Sequence, residues 1–138
     1  TPLHVAADGG HFEIVKYLAG ERSCSVDAVD IGGDTALYFA AATGHLRQPV
    51  ATSIDIVKYL AGERSASDDV VDKSGNTPLH VAAAGGHFEI VKYLAGERSC
   101  SVDAVDIGGD TALYFAAATG HLDIVKYLAG ERSASVDV

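Results

Sequence analysis

The side chains of this sequence best suited to hold a metal ion are six histidines, in two recurring sets. His4 and His80 lie in a TPLH motif, while a glycine precedes each of His11, His45, His87 and His121. A zinc site needs its ligands roughly 2 Å from one ion. Histidines that recur once per similar segment, with packed segments about 10 Å apart, do not converge in this way. We therefore expect structural histidines and no metal site.

The acidic and glycine-rich stretches do not assemble an active site either. Recurring aspartates lie in turn-rich segments, where short acceptors bond to the local backbone: Asp27, Asp30, Asp34, Asp103, Asp106 and Asp110. Their spacing is not that of a calcium loop. The stretch 31–34 (IGGD) lacks the lysine of a phosphate-binding loop. We expect no enzyme activity and no cofactor.

Four similar units must position these residues. They begin at Thr1, Thr35, Thr77 and Thr111, which gives a period of 34 residues, except that an eight-residue insert, 47–54, lengthens the second unit. Units one and three differ only at Asp8 versus Ala84. Units two and four, apart from the insert, differ over their shared length only at Asp68 versus Val136. The array therefore reads ABAB, which favours engineered assembly from consensus-like modules over a very recent duplication.

Each unit reads as helix, turn, helix and hairpin-like loop. Thr1 is a good N-cap and Pro2 suits the first helical position. Gly9 and Gly10 end this helix, and an apolar stripe predicts a second one from Phe12 to about Ala19 that ends at Gly20. The loop that follows is rich in Ser, Asp and Gly, with a tight turn at residues 32–33.

These motifs together resemble the ankyrin repeat. The matching elements are TPLHVAA at 1–7 and 77–83, GH before each second helix, IVKYL in every unit, and Asp-x-x-Gly-x-Thr at 30–35, 72–77 and 106–111. The resemblance implies one domain over 1–138, an all-α repeat solenoid with β-hairpin-like fingers and repeats at 1–34, 35–76, 77–110 and 111–138. The period of 34 departs from the usual 33, and Tyr38 and Tyr114 replace the motif histidine, so units two and four should lose its hydrogen bonds.

By the same resemblance, the protein is a non-catalytic scaffold that binds another protein through a concave surface of finger tips and first-helix ends. The implied contact residues are Ile31, Gly32, Asp34, Ala42, Thr43, Lys73, Ser74, Asn76, Ala84, Gly85, Ile107, Asp110, Ala118 and Thr119. This set is poor in the Trp, Tyr and Arg that dominate binding energies. The alternative is a structural model protein, made to study repeat packing or loop insertion, with no natural partner.

The insert consists of Arg47, Gln48, Pro49, Val50, Ala51, Thr52, Ser53 and Ile54. Two conformations fit it. Thr52 and Asp55 form a capping-box-like pair that would start the second helix near its usual place and leave a loop. Alternatively, Pro49 begins a longer helix with Val50, Ile54 and Val57 on one face. We favour the loop, and a tolerated surface insertion over a displayed peptide or engineered site.

Charge and cysteine usage bound the partners and the compartment. With 10 basic and 19 acidic residues, the net charge of −9 argues against nucleic acid and against an anionic membrane. Cys24 and Cys100 lie two units apart, about 16–20 Å, too far for a disulfide. Free thiols suggest a reducing compartment, the cytoplasm for a natural protein.

The start without Met suggests a fragment, and the uncapped end units suggest end-to-end association.

Overall fold

The computed structural model describes residues 1–42 and 50–134, and this part of the chain forms four successive pairs of helices. The first helices of the pairs are α1 (Pro2–Asp8), α3 (Ala36–Ala42), α5 (Pro78–Gly85) and α7 (Ala112–Ala118). The second helices are α2 (Phe12–Lys16), α4 (Val50–Lys58), α6 (Phe88–Lys92) and α8 (Leu122–Lys126). First helices pack on first helices and second on second, which confirms the predicted all-α repeat solenoid. No β-strand occurs in the described ranges, and the fingers are built from turns.

The first helices begin as their sequences predict. The Thr77 hydroxyl accepts from the backbone N–H of His80, and Pro78 occupies the first turn. Thr111 accepts in the same way from Tyr114. Small side chains then let the helices approach closely, since Ala40, Ala82 and Ala116 are all fully buried between them. The core is completed by leucines and isoleucines of both helix layers, among them Leu37, Leu60, Leu79, Ile90, Leu94, Ile124 and Leu128.

The prediction that the second helix ends at Gly20 is wrong. Each second helix continues without a break into a π-helical turn, at Tyr17–Glu21, Tyr59–Glu63, Tyr93–Glu97 and Tyr127–Glu131. The Arg22 N–H donates to the Tyr17 carbonyl, five residues back, at 2.9 Å. This wider turn holds one residue more than an α-helical turn, so it accommodates the additional residue of the 34-residue period. Ser23 then leaves the helix in the left-handed region, with φ 53°.

Close packing against the next unit explains the glycine in this turn. A Cβ on Gly20 would lie 2.7 Å from the Tyr59 hydroxyl, and one on Gly62 would lie 2.9 Å from the Tyr93 hydroxyl. The glycine therefore provides space for the neighbouring tyrosine instead of stopping the helix. Phe12 meets the same Tyr59 edge to face, with ring centroids 5.9 Å apart.

The prediction of a loop for the insert is also wrong where the structure describes it. Helix α4 begins at Val50, whereas α6 and α8 begin at the register of Ile54. Thr52 therefore lies within the helix and not immediately before it. Continuing the helix gives successive backbone N–H groups a carbonyl partner, while a side-chain cap satisfies only one or two of them. Ile54 packs against the core, and Arg47, Gln48 and Pro49 lie outside the described residues.

Candidate protein-binding surface

Three fingers follow the first three helix pairs: finger one (22–34), finger two (64–76) and finger three (98–110). An aspartate organises the tip of each. In finger one, the Asp30 carboxylate accepts from the N–H groups of Gly32 and Asp34, at 2.8 and 3.0 Å. Gly33 takes a left-handed φ of 84° to close the turn. The hydrogen bond from the Asp34 N–H lowers the pKa of Asp30, whereas partial loss of solvent raises it. The net result is a lowered pKa. Asp72 and Asp106 build the same turn.

Finger one and finger three are fixed to the preceding first helix by a histidine. The Nε2–H of His4 donates to the Asp34 carbonyl at 2.8 Å, and that of His80 donates to the Asp110 carbonyl at 3.1 Å. Because a carbonyl only accepts, Nε2 carries the proton. The Nδ1 atom of His80 then accepts from the Thr77 N–H. These contacts give the TPLH histidines the structural role that their periodicity predicts.

Finger two is fixed differently. Tyr38 stands where units one and three have histidine, and its hydroxyl donates to the Asp72 carboxylate at 2.9 Å. The histidine bond is absent, as predicted, but the longer tyrosine side chain replaces it with a bond to the carboxylate that organises the finger tip. Partial burial and the bond to Asp72 raise the pKa of Tyr38. Partial burial raises the pKa of Asp72. The hydrogen bonds from the backbone N–H groups and from the Tyr38 hydroxyl lower it by more, so the net result is a lowered pKa.

Neighbouring fingers also contact each other. The Ile107 N–H donates to the Ser74 carbonyl at 3.0 Å, and the Ser67 N–H donates to the Asp27 carboxylate at 2.7 Å. Arg98 of finger three forms an ion pair with Asp68 of finger two, at 3.0 Å. Sequence reasoning missed this pair, although its signal was present: Asp68 is the position at which units two and four differ. The fingers therefore form one connected row.

The structure places most of the predicted contact residues along this row and the first-helix ends. Ile31 and Ile107 are 93% and 81% exposed at the finger tips. Lys73, Ser74, Ala118 and Thr119 are also exposed. The remaining described residues are half-buried: Gly32, Asp34, Ala42, Asn76, Ala84, Gly85 and Asp110. Gly108, the residue of finger three that is equivalent to Gly32, is exposed. Thr43 lies outside the described residues.

Three exposed valines on the fingers were missed. Val29, Val71 and Val105 each precede the turn-forming aspartate of their finger. The part of the insert that the structure describes, 50–54, does not belong to this surface. Its described residues, including buried Ser53, belong to α4 in the layer of second helices.

Two further observations concern the metal-binding and thiol chemistry of the described residues. Within residues 1–42 and 50–134, no three His, Cys, Asp or Glu side chains come close enough to hold a metal ion. Both cysteines are free. A cleft of about 210 Å³ lies between fingers two and three, beside Asp68, Arg98 and Cys100. Burial first, and then the charge of Asp68, raise the pKa of the Cys100 thiol to about 12. Such a thiol is a poor nucleophile at neutral pH.

The structure consists of repeated helix pairs that are joined by fingers, each organised by an aspartate. Comparison with known families identifies the same type of repeat. The family model described as ankyrin repeats (3 copies) matches residues 47–138, and the one described as ankyrin repeats (many copies) matches residues 3–61. The chain belongs to the ankyrin repeat family. Ankyrin repeats generally mediate protein–protein interaction and are typically not enzymes. The comparison with curated proteins gives no match. Among the described helices, none has the length and apolar character needed to cross a membrane.

Proposed function

We propose that this ankyrin protein is a non-catalytic scaffold whose finger row and first-helix ends bind another protein. The observation that carries the proposal is the exposure of Ile31 and Ile107 on fingers whose backbones are fixed by hydrogen bonds. Exposed aliphatic side chains on a rigid support can be buried by a partner with little loss of conformational entropy. The described part of the insert, 50–54, is then a tolerated extension of α4 on another face.

Site-specific crosslinking tests this proposal. A photoreactive amino acid is placed at Ile31, at Ile107 or, as the control, at exposed Lys126 on the second-helix layer. We expect capture of the same lysate protein from both finger positions and not from Lys126. Excess unlabelled protein should compete, whereas an excess of the double variant Ile31→Ser and Ile107→Ser should not.

Two outcomes would overturn the proposal. If a protein were crosslinked from Lys126, and an excess of the finger double variant still inhibited that crosslinking, the binding surface would lie on the second helices or the insert. Absence of any competed product would favour the alternative, a structural protein of consensus-like units without a natural partner.

We also propose that copies of this chain associate head to tail. Ile14 of unit one is 50% exposed, whereas Ile90, at the same position of unit three, is fully buried beneath unit two. Unit four has nearly the same sequence as unit two, so its outward face can cover unit one of another copy in the same manner. Sedimentation velocity should show assembly that increases with concentration and that Ile14→Asp abolishes. Assembly that is absent, or equally sensitive to Ile31→Asp, would contradict this contact.

A further inference from the structure

The large apolar side chains that are exposed in the described residues fall into two groups. One group lies on the outward faces of the first and last units: Val5, Ile14, Tyr17, Tyr114 and Leu122. The other lies entirely on the fingers: Val29, Ile31, Val71, Val105 and Ile107. The second group is not explained by the stacking of units, since the fingers already contact their neighbours.

The finger side chains form a continuous row because adjacent fingers touch. A Cβ on Gly75 of finger two would lie 3.1 Å from the backbone nitrogen of Ile107. The Ser74 carbonyl accepts from the same nitrogen. Val71 of finger two is equivalent in sequence to Val105 of finger three. The two valines therefore lie on the same side of neighbouring fingers. This places aliphatic surface from three fingers side by side, which is the arrangement expected of an interaction surface.

The row is also strongly acidic. The outer finger segments, 27–34, 69–76 and 103–110, contain a single cation, Lys73, and eight aspartates: Asp27, Asp30, Asp34, Asp69, Asp72, Asp103, Asp106 and Asp110. Hence most of the net charge of −9 is concentrated on the segments that carry the exposed valines and isoleucines. Such a field attracts cations and repels acidic chains and nucleic acid.

We propose that the partner segment recognised by the finger row is extended and carries aliphatic side chains interspersed with Lys and Arg. This inference rests on the proposed function and specifies its partner. Aliphatic contacts with Ile31 and Ile107 bury apolar area, and the aspartates select the basic residues beside them. Lys73 stands where the other two fingers have isoleucine, so a basic side chain is disfavoured opposite finger two.

Selection from a random twelve-residue peptide library displayed on phage tests the proposal without assuming a sequence. We expect enriched peptides to combine Lys or Arg with Val, Ile or Leu. A fluorescent copy of the most enriched peptide is then titrated by anisotropy. The double variant Ile31→Ser and Ile107→Ser should bind it about 10-fold or more weakly, since two exposed aliphatic contacts are lost. The variant should still fold, because both side chains are exposed.

Two further variants make the test specific. Lys73→Glu should strengthen binding of the basic peptide, and raising the salt concentration should weaken it, because the attraction is screened. Val5→Ser is the matched control. It removes an exposed aliphatic side chain of α1 that is not on a finger, and it should leave the affinity unchanged.

The outcomes separate this inference from the proposed function. Enrichment of acidic or uncharged peptides that still depend on Ile31 and Ile107 would overturn the inference and leave the finger surface intact. Enriched peptides whose binding ignores the finger variants would count against both. Absence of enrichment would reject the basic, aliphatic class as the ligand, and the crosslinking experiment would then decide the proposed function separately.

Discussion

Asp68 makes finger two chemically different from its neighbours. Val26 and Val102 occupy the same position in fingers one and three, so the carboxylate interrupts an otherwise apolar position. It accepts from the Arg98 guanidinium and hydrogen-bonds with the Cys100 thiol. A half-buried carboxylate needs such partners, because removing a charged group from water is unfavourable unless hydrogen bonds replace the lost water. Burial of a valine carries no such requirement. The substitution therefore gives the joint between fingers two and three a polar network of its own.

The reactivity of Cys100 should report on this network. Asp68→Asn removes a negative charge while keeping the side-chain shape, so the raised pKa of the Cys100 thiol should fall. In a Cys24→Ala background, with alanine as in units two and four, we expect Cys100 to react roughly 3–10 times faster with a disulfide reagent near pH 9.

Arg98→Gln separates electrostatics from loosening of the fingers. It breaks the same ion pair but removes the positive charge that lowers the pKa of Cys100, so the thiol should react more slowly than in the parent protein. If both variants accelerated the reaction, opening of the cleft rather than charge would control it.

At the scale of the element, the π-helical turns and the left-handed serines that follow them were not predicted from the sequence. The additional residue of each period is accommodated in the π-helical turn. The glycine of the first turn provides space for Tyr59, far away in sequence, whose hydroxyl lies beside Gly20. A glycine can stop a helix or admit a neighbour, and local sequence does not distinguish these roles.

The insert shows the same limit. Both the loop and the longer helix were compatible with residues 47–54, and the capping pair at Thr52 and Asp55 favoured the loop. The structure instead begins α4 at Val50, with Ser53 buried at the register where unit three has His87. Helix starts at Thr1 and Thr77 were predictable because cap, proline and helix are adjacent in sequence.

Replacing one left-handed serine should stabilise the protein. Ser99 has φ 54°, a conformation that costs an L-residue about 1–2 kcal/mol and costs glycine almost nothing. After the larger entropy that glycine loses on folding is subtracted, Ser99→Gly should raise the free energy of unfolding by about 0.5 kcal/mol or more. Urea denaturation measures this change. Ser101→Gly, in the same finger but without a positive φ, should be neutral or destabilising, and equal effects of the two variants would contradict the explanation.

At the scale of the whole molecule, two ways of fixing a finger to the first helix of its unit alternate. His4 and His80 hold fingers one and three through a backbone carbonyl, while Tyr38 holds finger two through the Asp72 carboxylate. The finger tips of the candidate site could be located from sequence because Asp-x-x-Gly-x-Thr is a local turn. The valine row and the Asp68–Arg98 pair could not, because they depend on which fingers lie side by side.

Finger two offers a test of how the units are coupled. Tyr38→Phe removes the hydroxyl that donates to Asp72, and we expect a loss of about 1 kcal/mol in the free energy of unfolding at neutral pH. The urea transition should also broaden, because finger two contacts finger three and stability in repeat arrays depends on such contacts between neighbouring units. Tyr114→Phe is the matched control, since Tyr114 is half exposed and should contribute little.

The cost of Tyr38→Phe should depend on pH. The folded pKa of Asp72 lies below its ordinary value, so its ionised form stabilises the fold above the unfolded pKa of about 3.9. That contribution is lost as the pH falls through the folded pKa. Because part of the lowering comes from the Tyr38 hydroxyl, the difference between Tyr38→Phe and the parent protein should shrink below about pH 4. A difference that stays constant from pH 7 to pH 3 would show that the hydroxyl acts through packing alone, and that the charge of Asp72 does not help to hold finger two on α3.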